Sequence, residues 1–159
     1  MLKTSVHRIL VALDPASGHH DAQEDLSQQV METLKQFQLS DRHKVILSHV
    51  VPIEHSEVDI IADRPSVELE LPYDRLTQHL QHYQKQLSCP SELEIVAGDP
   101  AEEIIRLAKI HQVDLIVLGS RGLTGMQRIV MGSVSSQVFA DAPCSVLVVK
   151  PTERTERFL

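Results

Sequence analysis

The chain contains no tryptophan, and its aromatic side chains are limited to three phenylalanines and two tyrosines among 159 residues. Proteins that bind single-stranded nucleic acid stack bases on aromatic side chains, so this scarcity argues against such a platform. The net charge of −7 also disfavours nucleic acid and anionic membranes, because both carry negative charge. The composition therefore predicts a soluble globular protein that has neither nucleic acid nor membrane among its partners.

The sequence also lacks a long apolar segment of the kind that crosses a bilayer. The first apolar run, Ile9 to Leu13, is short and ends at Asp14, so it does not resemble a signal peptide. The two cysteines, Cys89 and Cys144, have no metal-ligand spacing, which predicts reduced, partly buried thiols. We therefore expect a single cytoplasmic domain over residues 1–159.

Short apolar runs alternate with amphipathic segments along the chain. Their length and β-branched residues predict five strands, at residues 8–13, 44–51, 92–98, 114–118 and 145–149. Apolar residues at three- and four-residue spacing predict two helices, one carrying Ala22, Leu26, Val30, Leu34 and Phe37 and one carrying Leu76, Leu80, Tyr83 and Leu87. Strands that alternate with helices predict an open parallel α/β sheet with helices on both faces.

Two further helices are predicted in the second half of the chain. One has a clear start, with Asp99 as N-cap, Pro100 at the first helical position and Glu102 three residues after the cap. Its expected buried stripe is Ala101, Ile104, Ile105 and Ala108. The other begins near Ser133 and runs to about Ala140. The acidic stretch 53–72 is interpreted as a surface loop, with only a short helical turn at Val58 to Ala62, and residues 151–159 as a polar tail.

Residues 119–136, GSRGLTGMQRIVMGSVSS, hold four of the six glycines, five hydroxyl side chains and two arginines, but no acid. Glycines let successive backbone N–H groups approach an anion, and Gly132-Ser133 at a helix start adds the positive end of a helix dipole. A carboxylate here would repel phosphate. The segment therefore predicts a phosphate-binding loop, with a structural glycine turn as the alternative, although neither the P-loop lysine nor G-x-G-x-x-G is present.

The segment DLIVLGSRGLTGMQRIVMGSVSSQVFADAPCSVLVVK (114–150) resembles the universal stress protein family. The nucleotide-binding branch of that family carries G-x2-G-x9-G-[ST] after the fourth strand, and Gly119, Gly122, Gly132 and Ser133 fit this spacing. The stretches RILVALD and VILSHVV match its first two strands. The resemblance implies a Rossmann-like five-stranded sheet of order 3-2-1-4-5 that binds ATP, with the triphosphate along residues 119–133.

In such sheets the ligand lies where the strand order reverses, here between the first and fourth strands. The resemblance implies that Val50 lies against adenine and that Asp14 accepts hydrogen bonds from the adenosine hydroxyls, unless Asp14 is only a loop acid or a helix cap. Ala16 stands where the family often has serine. The full predicted binding set is Ala12, Leu13, Asp14, Val50, Gly119, Ser120, Arg121, Gly122, Gly125, Gly132, Ser133, Val134 and Ser135.

The resemblance implies a nucleotide-dependent regulator of a stress response, with ATP as ligand, with or without magnesium, and an unidentified protein partner. The apolar edge strand 145–149 and the resemblance together predict a homodimer. No base is evident to orient an attacking water, so any hydrolysis is expected to be slow. A slow ATP hydrolase and a regulator that binds AMP or a cyclic nucleotide are the alternatives.

Other candidate sites are weaker. The pairs His19/His20 and His79/His82 could contact zinc, but no third ligand lies at a recognisable spacing, so no metal site is predicted. We expect His49 to be a packed core histidine. The G-x-S-x-G element of a serine hydrolase is absent, and so are the paired acids of a phospho-receiver domain. No catalytic residue is therefore predicted.

Overall fold

The computed structural model describes residues 5–14, 26–53, 70–120 and 131–151, except for the side chains of residues 70–72. Strands and helices alternate throughout these residues, as the apolar pattern predicts. The elements are β1 (Arg8–Ala12), α1 (Leu26–Lys35), β2 (Lys44–Pro52), α2 (Glu70–Gln84), β3 (Ser91–Gly98), α3 (Pro100–Ile110), β4 (Leu115–Gly119), α4 (Ser133–Asp141) and β5 (Ser145–Val149). The greater part of the acidic stretch, including Val58 to Ala62, lies outside the described residues.

The five strands form one parallel sheet of order β3-β2-β1-β4-β5, which confirms the predicted topology. The last residue of β1, Ala12, pairs with Ser48 of β2 and with Leu118 of β4. From β1 the chain adds β2 and β3 on one side of this strand, and it then adds β4 and β5 on the other side. The strand order therefore reverses between β1 and β4, where folds of this class bind their ligands.

The core has two layers because successive side chains of a strand point to opposite faces of the sheet. The first core layer packs α1 and α2 against the sheet; it contains Ile9, Val11, Leu13, Val30, Met31, Leu34, Val45, Leu47, Leu80, Tyr83, Leu115, Val117 and Val149. The second core layer packs α3 and α4; it contains Leu10, Ile46, Val50, Ala101, Ile104, Leu107, Ala108, Val113, Ile116, Leu118 and Val138. Both faces are thus covered, which explains the continuous apolar strands.

The helix start at Asp99 is confirmed. Its Oδ1 atom accepts a hydrogen bond from the backbone N–H of Glu102 at 3.0 Å, and Pro100 is the first residue of α3. The predicted stripe of Ala101, Ile104, Ile105 and Ala108 is buried. This agreement arises because the cap and the apolar spacing are local properties of the sequence.

Two helix ends were predicted too far along the chain. Helix α1 ends at Lys35, and the prediction that Phe37 continues its buried stripe is wrong, because Phe37 is 43% exposed. The turn after α1 directs this side chain to solvent. Helix α2 ends at Gln84, so Leu87 lies beyond it, although it still packs against the first core layer.

At the amino ends of the strands, away from the predicted ligand crevice, the carboxylate of Asp114 joins the starts of β1 and β4. Oδ2 of Asp114, just before β4, accepts hydrogen bonds from the backbone N–H groups of His7 and Arg8, both at 2.9 Å. The guanidinium of Arg8 donates in turn to the carbonyl of His111 at 3.1 Å. These contacts fix the start of β1 beside the start of β4.

Cys89 and Cys144 are free and half-buried, as predicted from their spacing. Burial raises the pKa of both thiols, which keeps them protonated at neutral pH and lowers their reactivity. Among the residues that the structure describes, no helix has both the length and the apolar character needed to cross a membrane.

Candidate functional site

The chain leaving β1 is held by hydrogen bonds on both sides of its backbone. The N–H of Leu13 donates to the carbonyl of Ser48 at 2.9 Å, which continues the sheet ladder by one residue. The carbonyl of Leu13 then accepts from Nδ1 of His49 at 2.8 Å, and the carbonyl of Asp14 accepts from the hydroxyl of Ser27 at 3.2 Å. The backbone that reaches the crevice is therefore fixed by β2 and α1.

Predicted residues at the ends of β1 and β2 divide between the two faces of the sheet. Ala12 and Val50 pack with the second core layer, on the side of α3 and α4. Leu13 is 4% exposed and packs with the first core layer. A ligand in the crevice on the α4 side can thus contact the side chains of Ala12 and Val50, whereas Leu13 offers only its backbone there.

Gly119 ends β4 at a point of close approach to α1. A Cβ atom placed on Gly119 would lie 2.5 Å from Cδ2 and 2.8 Å from Cγ of Leu26, the first residue of α1. These separations are shorter than any ordinary carbon–carbon contact. The missing side chain at residue 119 therefore makes room for Leu26, a role that the glycine spacing alone did not reveal.

Ser120 carries a buried hydroxyl directly after β4. Its N–H donates to the carbonyl of Val149 at 2.9 Å, so the strand pairing continues through this residue. Because side chains alternate along a strand, Ser120 follows Leu118 onto the α4 side of the sheet. The residue is 1% exposed, and its Oγ atom has no hydrogen-bond partner among the described residues.

The glycine-rich loop returns to the point at which it leaves the sheet. The N–H of Gly132 donates to the carbonyl of Ser120 at 2.6 Å. The hydroxyl of Ser135 lies 3.0 Å from the same carbonyl and 3.1 Å from that of Gly132, so it shares its proton between them. Ser135 is 2% exposed, and it therefore closes the base of the loop.

Helix α4 begins without a side-chain cap. Its N-cap is Gly132, with φ −61° and ψ 163°, and there is no acid in the first turn. The first N–H groups of any α-helix lack partners within the helix, and those of Ser133, Val134 and Ser135 have no backbone acceptor among the described residues. Together with the helix dipole, they form a site suited to an anion such as phosphate. The exposed Ser133 adds a hydroxyl at this point.

The other predicted residues fall into two groups. Arg121, Gly122 and Gly125 lie outside the described residues, as do His19 and His20. His79 and His82 are exposed on α2, and the described part of the chain contains no group of three side chains that could hold a metal ion. His49 is buried, as predicted, with 7% of its surface exposed.

Three residues that support the candidate site were not predicted from the sequence to do so. Leu26, Ser27 and His49 contact Gly119, Asp14 and Leu13, respectively. Leu26 and Ser27 read as ordinary residues of an amphipathic helix, and no local pattern signals their distant contacts. The signal for His49 was its position one residue before Val50, within a strand otherwise made of apolar residues and a serine.

Curated relatives of this chain include two with different extents of similarity. Universal stress protein MJ0531 of Methanocaldococcus jannaschii is 46% identical over 61 residues, which cover 38% of this chain and 36% of the relative. The matched segment thus spans about a third of that relative's length. Universal stress protein Sll1388 of Synechocystis sp. is 26% identical over 162 residues, covering 90% of this chain and 97% of the relative.

Solved structures share the fold over nearly the whole chain. The structure of hypothetical protein MJ0577 from Methanocaldococcus jannaschii superposes with a TM-score of 0.77 and 25% identity, covering 93% of this chain and 98% of that one. An Arabidopsis thaliana family member, At3g01520 with AMP bound, gives a TM-score of 0.61 at 22% identity and covers 92% of both chains. A universal stress protein in complex with cAMP gives 0.60 at 19% identity, covering 94% of this chain and 100% of that one.

The family model described as the universal stress protein family matches residues 5–150. This match includes every described strand and helix, from β1 to β5. The residues that carried the sequence resemblance, from Arg8 to Lys150, lie within it. The chain therefore belongs to the universal stress protein family.

Proposed function

We propose that this chain binds ATP, alone or as its magnesium complex, in the crevice between β1 and β4, and acts as a nucleotide-dependent regulator of a stress response. The observation that carries the proposal is the start of α4. Gly132 leaves the first turn of this helix uncapped, and its N–H bonds the carbonyl of Ser120 at the end of β4. This bond holds the start of α4, where we propose that the phosphates bind, at the point where the strand order reverses.

The phosphate side of the proposed site combines three kinds of donor. Backbone N–H groups of the first turn of α4 meet a triphosphate with no competing carboxylate, since residues 119–136 contain no acid. The hydroxyl of Ser133 is exposed at the same helix end, and the buried hydroxyl of Ser120 has no partner among the described residues. By the spacing of the family motif, we propose that Gly122 contributes to the same phosphate site, and Gly125, between the motif glycines, is proposed with it.

The adenosine side of the proposed site lies at the ends of β1 and β2. Ala12 and Val50 present apolar surface on the α4 side, which suits one face of an adenine ring. Asp14 lies two residues after the end of β1, where its carboxylate is proposed to accept from the ribose hydroxyls. The hydrogen bonds from His49 to Leu13 and from Ser27 to Asp14 hold the backbone of this segment.

AMP and cAMP are the alternative ligands. Two proteins of the same fold hold AMP and cAMP, respectively, which supports an adenine nucleotide as the class of ligand. The acid-free length of residues 119–136 favours more than one phosphate, because it provides more donors than a single phosphate requires.

The direct test is to purify the protein, denature it, and identify any nucleotide released by mass spectrometry. Isothermal titration calorimetry then ranks ATP, AMP and cAMP. We expect ATP to bind most tightly. A chain that releases no nucleotide and shows no binding heat with any of the three would refute the proposed function.

We propose that turnover, if it occurs at all, is far below the median of about 10 per second for ordinary enzymes. The uncapped helix end provides positioning, but the sequence offers no evident base that orients an attacking water. A phosphate-release assay with ATP and magnesium measures this. Rates near one per second would instead favour the slow hydrolase.

We also propose a homodimer through β5. This strand is one edge of the sheet, and it has no charged residue between Ser145 and Val149. The other edge, β3, is protected by Glu92 and Glu94, and Lys44 forms an ion pair with Glu92. Uncharged edges recruit further strands, and a second copy related by two-fold symmetry satisfies this requirement.

Leu147→Lys is expected to convert the dimer to a monomer, because the lysine places a charge on the pairing edge. Ile95→Lys in β3 is the matched control, since Ile95 and Leu147 are both half-buried side chains packed against the first core layer. Light scattering after size-exclusion chromatography should show a dimer for the control and for the unaltered chain. A monomeric unaltered chain at micromolar concentration contradicts the proposal.

A further inference from the structure

We infer that His49 is a positioning residue for ribose recognition, which it serves by fixing the backbone that carries Asp14. This inference rests on the proposed nucleotide site and adds a residue that does not itself touch the ligand. His49 is buried, and its Nδ1 atom lies 2.8 Å from the carbonyl oxygen of Leu13. A carbonyl can only accept, so Nδ1 carries the proton and donates.

The contact replaces a backbone bond at the point where β1 ends. Up to Leu13 the strand is paired regularly, because the N–H of Leu13 donates to the carbonyl of Ser48 at 2.9 Å. The carbonyl of Leu13 instead accepts a hydrogen bond from the side chain of His49, and not from a backbone N–H of β2. An imidazole therefore sets the direction in which the chain enters Asp14.

The position of His49 in β2 keeps it away from the nucleotide. Val50 packs with the second core layer, on the crevice side, and Leu13 packs with the first. Because side chains alternate along a strand, His49 lies on the opposite face from Val50. The ring thus supports the crevice from behind, and its effect on a ligand must pass through Leu13 and Asp14.

The test compares ATP with 2′,3′-dideoxy-ATP, which has the same base and triphosphate but no ribose hydroxyls. His49→Leu removes the donor, and we expect its affinity for ATP to fall by about threefold to tenfold, the range for one hydrogen bond. Its affinity for the dideoxy nucleotide should change less than about twofold on the same grounds. His49→Asn keeps an N–H at the position of Nδ1 and should restore discrimination between the nucleotides. His49→Gln, which moves the donor outward by one methylene, should not.

Leu47→Ala is the control for a general loss of packing. It shortens a fully buried side chain of the first core layer, on the same face of β2 as His49 but two residues earlier in the strand. We expect lower thermal stability and unchanged discrimination. If His49→Leu does not fold, His49→Gln provides the same comparison, because it keeps a polar side chain and only displaces the donor.

Several results would overturn the inference. Equal weakening of both nucleotides by His49→Leu or His49→Gln would indicate a structural role only, and so would failure of His49→Asn to restore discrimination. Equal affinity of the unaltered chain for both nucleotides would leave no ribose recognition to position. The proposed function survives each of these results, since it fails only if the unaltered chain binds no nucleotide.

Discussion

Helices α3 and α4 both begin at the carboxyl edge of the sheet, but their first turns differ in what satisfies the free N–H groups. At α3 the carboxylate of Asp99 accepts from Glu102, and two acids follow in the first turn. At α4 the cap is Gly132, with no side-chain bond and no acid. The same structural requirement is thus met by a side chain of the protein at α3, whereas at α4 we propose that it is met by the phosphates of a bound nucleotide.

The strands before these helices both end in glycine, and in each case the absence of a side chain makes room for a residue of a helix. A Cβ atom on Gly98, where φ is +153°, would lie 2.9 Å from Cγ of Glu103, a residue of the helix that follows. A Cβ atom on Gly119 would meet Leu26, which belongs to α1. Gly98 thus allows its own helix to approach, whereas Gly119 admits a helix from elsewhere in the chain.

The largest effect is expected when α4 is given the cap of α3. Gly132→Asp places a carboxylate where the phosphates are proposed to lie, and we expect ATP affinity to fall about tenfold or more, since a charge-assisted hydrogen bond is worth about 1.5–3 kcal/mol. Aspartate is also a good N-cap, so thermal stability should hold or rise slightly. Calorimetry and thermal unfolding of the same variant measure both quantities.

Gln78→Glu is the control for this variant, because it adds the same charge at an exposed position of α2. Its ATP affinity should match that of the unaltered chain. If Gly132→Asp bound ATP normally while folded, α4 would not be the phosphate site.

A smaller effect is expected when Gly119 is given a side chain. Gly119→Ala forces its Cβ against Leu26 and should lower the free energy of unfolding by about 1–2 kcal/mol, as overpacking does elsewhere. When Leu26→Ala is already present, the further cost of Gly119→Ala should be smaller, because the clashing side chain is gone. The double variant should bind ATP nearly as tightly as Leu26→Ala alone. Additive losses in denaturant unfolding would show that the two residues do not interact.

The smallest effect concerns the cap of α3. Asp99→Ala should lower the free energy of unfolding by about 1 kcal/mol, the usual cost of a lost N-cap, and leave ATP affinity unchanged. Asp99→Ser retains a capping oxygen and should lose much less. A change in ATP affinity with Asp99→Ala would contradict the division of roles between the two helices.

Local signals in the sequence were sufficient to predict the strands and a parallel sheet, whereas the strand order came from the family resemblance. Continuous apolar runs located the strands, and Asp99-Pro100 located the start of α3. The ends of α1 and α2 were placed too late, since apolar residues such as Leu87 continue to pack after the helix ends. Periodicity records which side chains are buried and does not record where the helical backbone stops.

The candidate site was predicted less completely, because its supporting contacts join distant parts of the chain. The glycine spacing and the absence of acids indicated the loop, and they identified Gly132 at the start of α4. Nothing local indicated that Leu26 would meet Gly119, or that His49 would bond Leu13. Those contacts depend on the register of β1 against β2 and on the packing of α1, which only the folded chain defines.

The central place of β1 has a consequence for how the protein is made. The strands β1, β2 and β3 are complete once Gly98 has been synthesised, but β4, the second neighbour of β1, follows later in the chain. Arg8 and Asp114, which join the starts of the two strands, are 106 residues apart in the chain. Until β4 emerges, a strand of Ile9, Leu10 and Val11 has an open apolar edge, the kind that pairs wrongly with other chains. During synthesis, the free edge of β1 is therefore covered only when β4 pairs with it.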